Sequence, residues 1–225
     1  MKNLIFISLS LILLSIQPIK SQQSLLFDGV NDLVVGTNNT TLDITQGTLE
    51  AWIKTSNVGS SYRGIIIKHS SYGFYLLDNV LVAYQWTNNR YFTTGINLAD
   101  NAWHNVAFVF NNNVTNGSKL YIDGLPKLTF TYSLSNSTSN IDFGAGHYRV
   151  SPPSQNFLGQ IDQIRVWNVV KTDQEISDNY NKCISGSASN LIMLWNFEEG
   201  SGSTVTDLSG NNNNGSLTNM DISSA

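Results

Sequence analysis

The sequence predicts an all-β fold, a two-sheet antiparallel jelly-roll sandwich with one short helix. Apolar runs that suit β-strands recur along the chain with turn signals between them, as in TLEAWIK (48–54), AWHNVAFVFN (102–111) and GQIDQIRVWN (159–168). Many short strands separated by turns are typical of sandwiches and barrels. Helix signals gather in a single segment, and no heptad pattern, linker or internal repeat interrupts the strands. We therefore expect one domain built from two packed sheets.

The strand patterns also indicate which residues face the core. In TLEAWIK, one face carries Leu49, Ala51 and Ile53 and the other carries Glu50, Trp52 and Lys54. This period of two predicts a strand with one buried face. Asp78-Asn79 and Asp123-Gly124 interrupt apolar runs, and such pairs predict tight hairpin turns.

One short helix is predicted after residue 171. Thr172 and Glu175 form a capping box, in which each side chain bonds the other residue's backbone N–H. Ile176 and Tyr180 follow at a spacing of one helical turn, and we expect the helix to end near Cys183.

The first residues predict export. Lys2 precedes an apolar core from Leu4 to Ile16, Pro18 ends it, and Ser21 offers a small residue for cleavage. This is the pattern of a signal peptide over residues 1–21, and the core is short for a membrane span. A retained membrane anchor is the alternative. We expect a secreted or extracellular protein with a single domain over residues 22–225.

Composition narrows the classes of partner. The formal net charge is −4 and only 12% of the residues are charged. Nucleic-acid binding needs a basic face, so this balance argues against nucleic acid and against anionic membranes. Cys183 is the one cysteine of the chain, so no intrachain disulfide forms, and a free cysteine of this kind is expected to be buried.

Five motifs carry a family likeness. LLFDGVNDLVVG, TLEAWIK, AWHNVAFVF, KLYIDGLP and LGQIDQIRVWNVVKTDQEI occur in that order. Together they resemble the laminin-G-like, concanavalin A-like lectin/glucanase jelly-roll domain common in secreted bacterial proteins. The likeness covers residues 24–217. It implies the fold, and it leaves the function open, since the fold hosts lectins, adhesion modules and glycosidases.

The chain departs from this family pattern at its C-terminal end. In similar modules a segment like Trp195–Gly215 often precedes the FDG strand, whereas here it follows the helix. Either it closes the same sandwich in permuted order, or it begins a second module. Closure is favoured because LIMLWNF is too apolar to remain exposed.

The acidic residues do not predict an enzyme. Glycosidases place two carboxylates on either side of the scissile bond. Hydrolases of similar fold carry them on one strand as Glu-X-Asp-X-X-Glu, a pattern that Glu50, Glu175, Glu198 and Glu199 do not form. His69, His104 and His147 show no metal spacing and no paired nucleophile. His104 shares a face with Val106 and Phe108, so a structural role is expected for it.

A calcium site is predicted from oxygen ligands. Asp28 ends a strand, and alternation places Asp162 on one face with Ile164 and Val166, where an aspartate needs a partner. The resemblance implies that the two strands are near each other, so Asp28, Asn31 and Asp162 are candidate ligands of a structural Ca²⁺. Asp32 is an alternative to Asn31. The competing interpretation is that the aspartates accept backbone N–H bonds and bind nothing.

Aromatic residues near turns predict a carbohydrate site, because the apolar faces of sugars stack on aromatic rings. The candidate ligand-binding residues are Tyr84, Trp86, Arg90, Tyr91, Tyr148 and Arg149. The other tryptophans, Trp52, Trp103, Trp167 and Trp195, are expected in the core. We therefore expect a non-catalytic module that binds a carbohydrate or a glycosylated surface. The alternatives are a protein-interaction module without a sugar site and, less favoured, a glycoside hydrolase.

Overall fold

The computed structural model describes residues 23–36, 39–56, 62–134, 143–145 and 156–220. The predicted signal peptide, residues 1–21, lies outside this part of the chain. Across the described residues, no helix is long and apolar enough to cross a membrane.

Two antiparallel sheets confirm the predicted all-β jelly-roll sandwich. The first has seven strands, Leu25–Asp28 (β1), Gln46–Lys54 (β3), Trp103–Asn111 (β8), Ser118–Ile122 (β9), Leu125–Phe130 (β10), Leu158–Trp167 (β12) and Leu191–Trp195 (β13). The second has eight, Leu33–Gly36 (β2), Tyr62–Lys68 (β4), Tyr72–Leu77 (β5), Val80–Gln85 (β6), Arg90–Asn97 (β7), Phe143–Ala145 (β11), Thr204–Val205 (β14) and Gly215–Thr218 (β15). Within the described residues, the helical elements are a 3₁₀ turn at Thr40–Leu42 and one α-helix, Asp173–Asn179 (α1).

The order of the strands explains the shape of the core. The seven-stranded sheet runs β1-β12-β3-β8-β9-β10, with β13 also paired to β12, and the eight-stranded sheet runs β14-β15-β2-β11-β4-β5-β6-β7. Leu49 and Phe108 of the first sheet and Phe74 and Leu81 of the second belong to one buried cluster between the sheets. Burial of each such side chain contributes about 1.5–3 kcal/mol, so this cluster is the main source of stability.

Both predicted hairpin turns are confirmed. Asp78 and Asn79 have φ of 51° and 67°, and Asp123 and Gly124 have φ of 51° and 75°. Positive φ at both central residues matches the right-handed twist of the flanking strands. Gly124 is also needed for space, because a Cβ there would lie 2.6 Å from the ring of Tyr180.

The C-terminal segment closes the same sandwich. Strand β13 pairs with β12 from Ile164↔Trp195 onward, and β15 pairs with β2 from Gly215↔Gly36 onward. Trp195 is fully buried, and its Nε1 donates to the carbonyl of Asn213 at 2.8 Å. The permuted closure favoured from the sequence is therefore the observed arrangement.

Helix α1 has the predicted capping box but ends earlier than expected. Thr172 Oγ1 accepts the N–H of Glu175 at 3.2 Å, and Glu175 Oε2 accepts the N–H of Thr172 at 2.8 Å. The helix ends at Asn179, not near Cys183. Residues beyond it turn toward the sheet, since Arg165 donates to the carbonyls of Asn179 and Lys182.

Arg165 is a buried cation on the outer face of the seven-stranded sheet. It is 1% exposed, and its Nη1 lies 3.4 Å from Oε2 of the equally buried Glu50. Nη1 also lies 3.3 Å from the carbonyl of Asn179, and Nη2 lies 2.6 Å from that of Lys182. One guanidinium therefore joins β12, β3 and the chain after α1.

His104 is held between two carboxylates. Its Nδ1 lies 2.8 Å from Asp123 Oδ2, and its Nε2 lies 3.2 Å from Asp100. Burial alone would lower the pKa of His104, but the hydrogen bonds and charges of the two aspartates outweigh it, so the pKa is raised. The predicted structural role of His104 fits this placement.

The pH dependence of stability follows from this raised pKa. Protonated His104 stabilises the fold fully below the unfolded histidine pKa of about 6.5, and this contribution is lost as pH rises through the higher folded pKa. We expect the melting temperature to fall as the pH rises above about 6.5, and His104→Gln to remove part of that fall. His69→Gln is the control and should retain it. Equal pH profiles for wild type and His104→Gln would contradict the assignment.

Removal of the closing segment should unfold the protein. A chain that ends at Asn190 loses β13 and the buried Trp195, and it leaves the edge of β12 unpaired where β13 lay. We expect no cooperative thermal transition by circular dichroism. A chain that ends at Met220 is the control and should melt like the full chain. A cooperative melt of the shorter chain near the full-length midpoint would show that the segment is dispensable.

Candidate functional site

Aromatic residues gather on the outer face of the eight-stranded sheet. Strand alternation directs Phe74 and Ala83 into the core and turns Tyr75 and Tyr84 outward. A separate cluster contains Tyr62, Tyr75, Tyr84 and Trp86. Together with Tyr91, we name these residues the aromatic platform. Tyr84 lies directly opposite Tyr91 in the register of β6 and β7, so these two side chains share the outer face.

The rings of the platform pack edge to face. Tyr84 and Trp86 have centroids 5.1 Å apart at an interplanar angle of 87°. Tyr62 contacts Tyr84 at 6.5 Å and Tyr75 at 6.0 Å, also nearly perpendicular. Such pairs are favoured by the ring quadrupoles and fix the orientation of each ring. The platform is therefore largely preformed.

Exposure increases across the platform. Tyr75 is 2% exposed, Tyr84 and Trp86 are partly exposed, and Tyr91 is 48% exposed. Polar groups border the exposed end, where Tyr84 Oη donates to Asn89 Oδ1 at 3.2 Å and His69 lies 6.0 Å from the Trp86 ring. The indole N–H of Trp86 is buried and has no acceptor among the described residues. The platform thus offers ring faces with polar groups at their rim.

Three of the predicted ligand-binding residues meet on this surface, and one does not. Tyr84, Trp86 and Tyr91 are on the platform. Arg90 was predicted beside them, but its guanidinium carbon lies 4.6 Å above the ring of Phe92, on the other side of β7 from Tyr91. Successive strand residues alternate between faces, so Arg90 and Tyr91 point apart. Tyr148 and Arg149 lie outside the described residues.

The predicted metal ligands Asp28 and Asp162 are not brought together. Asp28 pairs with Leu158, whereas Asp162 follows Ile161, which pairs with Leu25. Four strand residues separate the two positions, roughly 13 Å at about 3.3 Å per residue. Among the described residues, no group of three or more histidine, cysteine, aspartate or glutamate side chains is placed to hold a metal. The strand register therefore argues against one ion shared by Asp28 and Asp162, and the set of metal ligands stays a prediction.

The Asp28 turn has hydrogen bonds of its own. Asp28 Oδ1 accepts the N–H groups of Val30 at 2.7 Å and Asn31 at 3.2 Å, and Asp32 Oδ2 accepts the N–H of Asp28 at 2.8 Å. Burial opposes ionisation of Asp28, but the backbone donors outweigh it and lower its pKa. Burial, together with the nearby Asp28 carboxylate, raises the pKa of Asp32. This geometry matches the competing interpretation, a turn stabilised by its aspartates.

A β-bulge reverses the predicted face of Asp162. Asp162 pairs with Trp52 and Arg165 pairs with Glu50. Between these two pairs, β12 advances three residues and β3 only two, so β12 carries one extra residue. The extra residue is Gln163, with φ of 48°. Asp162 therefore faces outward beside Trp52 and not inward with Ile164 and Val166, so the predicted placement on the apolar face is wrong.

A second surface feature lies on the outer face of the seven-stranded sheet. A pocket of about 290 Å³, which we name the outer pocket, is lined by Ser24, Trp52, Trp103, Asp162, Gln163, Asn181 and Cys183. Trp167 and Trp195 are buried as predicted, but Trp103 is 38% exposed and Trp52 is partly exposed, so their predicted core positions are wrong. The alternation of TLEAWIK already placed Trp52 opposite the core face. Cys183 is exposed, contrary to expectation.

The glutamates are engaged in structural contacts. Glu50 accepts from Trp167 Nε1 at 2.7 Å and pairs with Arg165; burial raises its pKa despite these partners. Glu175 belongs to the helix cap. Glu198 accepts the N–H of Gln23 at 3.1 Å, and Glu199 accepts the N–H of Thr206 at 2.7 Å.

A family model for the concanavalin A-like lectin/glucanases superfamily, of the laminin G type, matches residues 28–177. The chain belongs to this family. The match spans the Asp28 turn, the platform strands and the helix cap, and it confirms the resemblance seen in the sequence. A search of curated proteins gives no match at the threshold used.

Solved structures support the same fold. A candidate carbohydrate-binding protein from Bacteroides ovatus is similar with a TM-score of 0.76 at 16% identity, over 91% of this chain and 60% of that one. The binding domain of Paraclostridial Mosquitocidal Protein 1 has a TM-score of 0.52 at 12% identity, over 71% of this chain and 47% of that one. Trypanosoma rangeli sialidase has a TM-score of 0.55 at 13% identity, over 70% of this chain and 27% of that one. The chain thus spans about three-fifths of the Bacteroides protein.

Calcium binding itself stays a prediction. Calcium bound only to the folded state would raise the melting temperature, and a chelator would lower it. Because the structure separates Asp28 from Asp162, the variants Asp28→Asn and Asp162→Asn each test one position for a calcium ligand. Loss of the calcium effect in one variant alone would locate a ligand, and equal melting temperatures in calcium and chelator would contradict the prediction.

Proposed function

We propose that this protein is a secreted, non-catalytic carbohydrate-binding module and that the aromatic platform is its sugar-binding surface. The observation that carries the proposal is the meeting of Tyr84, Trp86 and Tyr91 on one outer sheet face. Its partner is a carbohydrate or a glycosylated surface.

The chemistry of the platform suits sugar rings. One face of a pyranose presents C–H groups, which pack on the π face of tyrosine or tryptophan. Tyrosine and tryptophan also bind at low entropic cost because they have few rotatable bonds. The edge-to-face contacts of Tyr84 with Trp86 and Tyr62 restrict these rings further. Asn89 and His69 at the rim place hydrogen-bonding groups where sugar hydroxyls would lie.

Family membership supports this proposal without deciding it. The superfamily is lectin-like, and the similar Bacteroides protein is itself a candidate carbohydrate-binding protein. A fold of this kind hosts several functions, so the site must carry the functional assignment.

The placement of the carboxylates supports a non-catalytic role. A glycosidase needs an acid and a second carboxylate across a groove. Glu50 is buried against Arg165 and Trp167, and Glu175 caps the helix, so these two are engaged elsewhere. Export rests on the signal-peptide pattern of residues 1–21 and is tested by N-terminal sequencing of secreted protein, which should begin near Gln22.

A glycan array followed by calorimetry tests the platform. We expect the protein to bind a subset of glycans and Tyr91→Ala to weaken the strongest hit about tenfold, because it removes an exposed stacking face. Trp86→Ala should weaken binding at least as much. The thermal midpoint of each variant shows whether the fold is retained.

Leu125→Ala is the matched control. Leu125 is 56% exposed on β10 of the other sheet, so its removal should leave glycan affinity unchanged. Failure of the protein to bind any glycan above background, with binding to a protein partner instead, would overturn the carbohydrate proposal. Glycan binding that survives both platform substitutions would overturn the location.

A further inference from the structure

Strand pairing places a row of side chains side by side on the outer face of the seven-stranded sheet, at the outer pocket. Asp162 pairs with Trp52, and Trp52 pairs with Asn105, so three neighbouring strands present these residues on one outward face. Trp103 precedes Asn105 by two residues and therefore shares that face. The indole of Trp52 thus lies between the carboxylate of Asp162 and the amide of Asn105, and the indole of Trp103 is close by.

Asn105 is a buried amide without a partner. Asn105 is 1% exposed, and neither its Oδ1 nor its Nδ2 has a hydrogen-bond partner among the described residues. Buried amides are nearly always satisfied by protein, water or a ligand. The partner of Asn105 in the strand register is Trp52, which lines the pocket and stacks on Tyr180 at 6.3 Å. An unsatisfied buried amide is costly for a purely structural surface.

We propose that the outer pocket is a second carbohydrate site, which takes a single neutral sugar ring. Trp103, the exposed indole, supplies a stacking face, and Asp162, Gln163 and Asn181 supply acceptors and donors for hydroxyl groups. A volume of about 290 Å³ is at the small end for ligand pockets, which suits one ring and not an extended chain.

The charge at the pocket selects against acidic sugars. Asp162 is only 6% exposed, so its carboxylate acts through a medium of low dielectric constant. Neither nearby cation lines the pocket: Arg165 is paired with Glu50, and Lys54 lies opposite Trp103 in the strand register but outside the lining. A uronic acid would bring a second negative charge against Asp162, and like charges repel. The site therefore prefers a neutral ring over its acidic counterpart.

This second site does not depend on the platform. The two surfaces lie on opposite sheets and share no residue. The five tryptophans separate them in one experiment, since Trp52 and Trp103 report the outer pocket, Trp86 reports the platform, and the buried Trp167 and Trp195 serve as internal controls.

Indole N–H resonances in ¹H–¹⁵N spectra give the test. After assignment by single Trp→Phe variants, the protein is titrated with glucose, galactose, mannose, xylose, arabinose and glucuronic acid. We expect at least one neutral sugar to shift the Trp103 and Trp52 resonances saturably, in roughly the millimolar range, with Trp167 and Trp195 unchanged. Glucuronic acid should bind at least tenfold more weakly than glucose if glucose is the bound sugar.

The variant Asp162→Asn tests whether the Asp162 carboxylate itself recognises the sugar. The substitution keeps the shape of the side chain and removes its charge, so affinity for the neutral sugar should fall roughly tenfold and rejection of the acidic sugar should decrease. Asp178→Asn, on the exposed face of α1, is the control and should change neither. Spectral dispersion shows that both variants remain folded.

The possible results separate the two proposals. Shifts of Trp86 alone overturn the outer pocket as a sugar site and leave the platform supported. Shifts of Trp52 and Trp103 alone support the outer pocket and count against the platform. Equal binding of neutral and acidic sugars, or an Asp162→Asn variant that binds like wild type, overturns the proposed recognition by Asp162.

Discussion

The structure on the outer face of the seven-stranded sheet depends on one buried cation, Arg165. Its guanidinium pairs with Glu50 on the neighbouring strand and binds two carbonyls of the chain that follows helix α1. Removal of one member of such a pair leaves an uncompensated buried charge, typically at a cost of about 3–5 kcal/mol. Arg165 also bonds Gln163, the residue that forms the bulge in β12. One side chain therefore fixes the bulge, the end of the helix and the wall of the outer pocket together.

This bulge decides what the outer face can bind. Without the bulge at Gln163, regular alternation along β12 would place Asp162 on one face with Ile164 and Val166, in the core. With it, Asp162 turns outward beside Trp52, and the apolar residues of β12 remain inside. Bulges commonly redirect a side chain in this way near functional sites. The polar character of the outer pocket is thus a consequence of backbone geometry.

Local sequence signals predicted most of the fold, and long-range geometry accounts for what they missed. Alternation in TLEAWIK, the Asp78-Asn79 and Asp123-Gly124 turns and the Thr172 capping box depend on neighbouring residues, and all appear as expected. The face of Asp162 depends on the pairing of β12 with β3, which no local pattern encodes. Arg90 was grouped with Tyr91 by closeness in the chain, although successive strand residues face opposite sides. Trp86 and Tyr91 were found because they flank the Asn-rich turn between β6 and β7.

The positions of the two proposed sites limit how they would act together. Packed sheets are separated by about 10 Å, and each site lies on an outward face, so the whole sandwich stands between them. One short glycan cannot reach both, and the gain in affinity that two linked sites give to a single ligand requires that both be engaged at once. The two proposed sites would instead bind separate glycans. Such an arrangement favours attachment of the protein between two carbohydrate chains over tight binding of one.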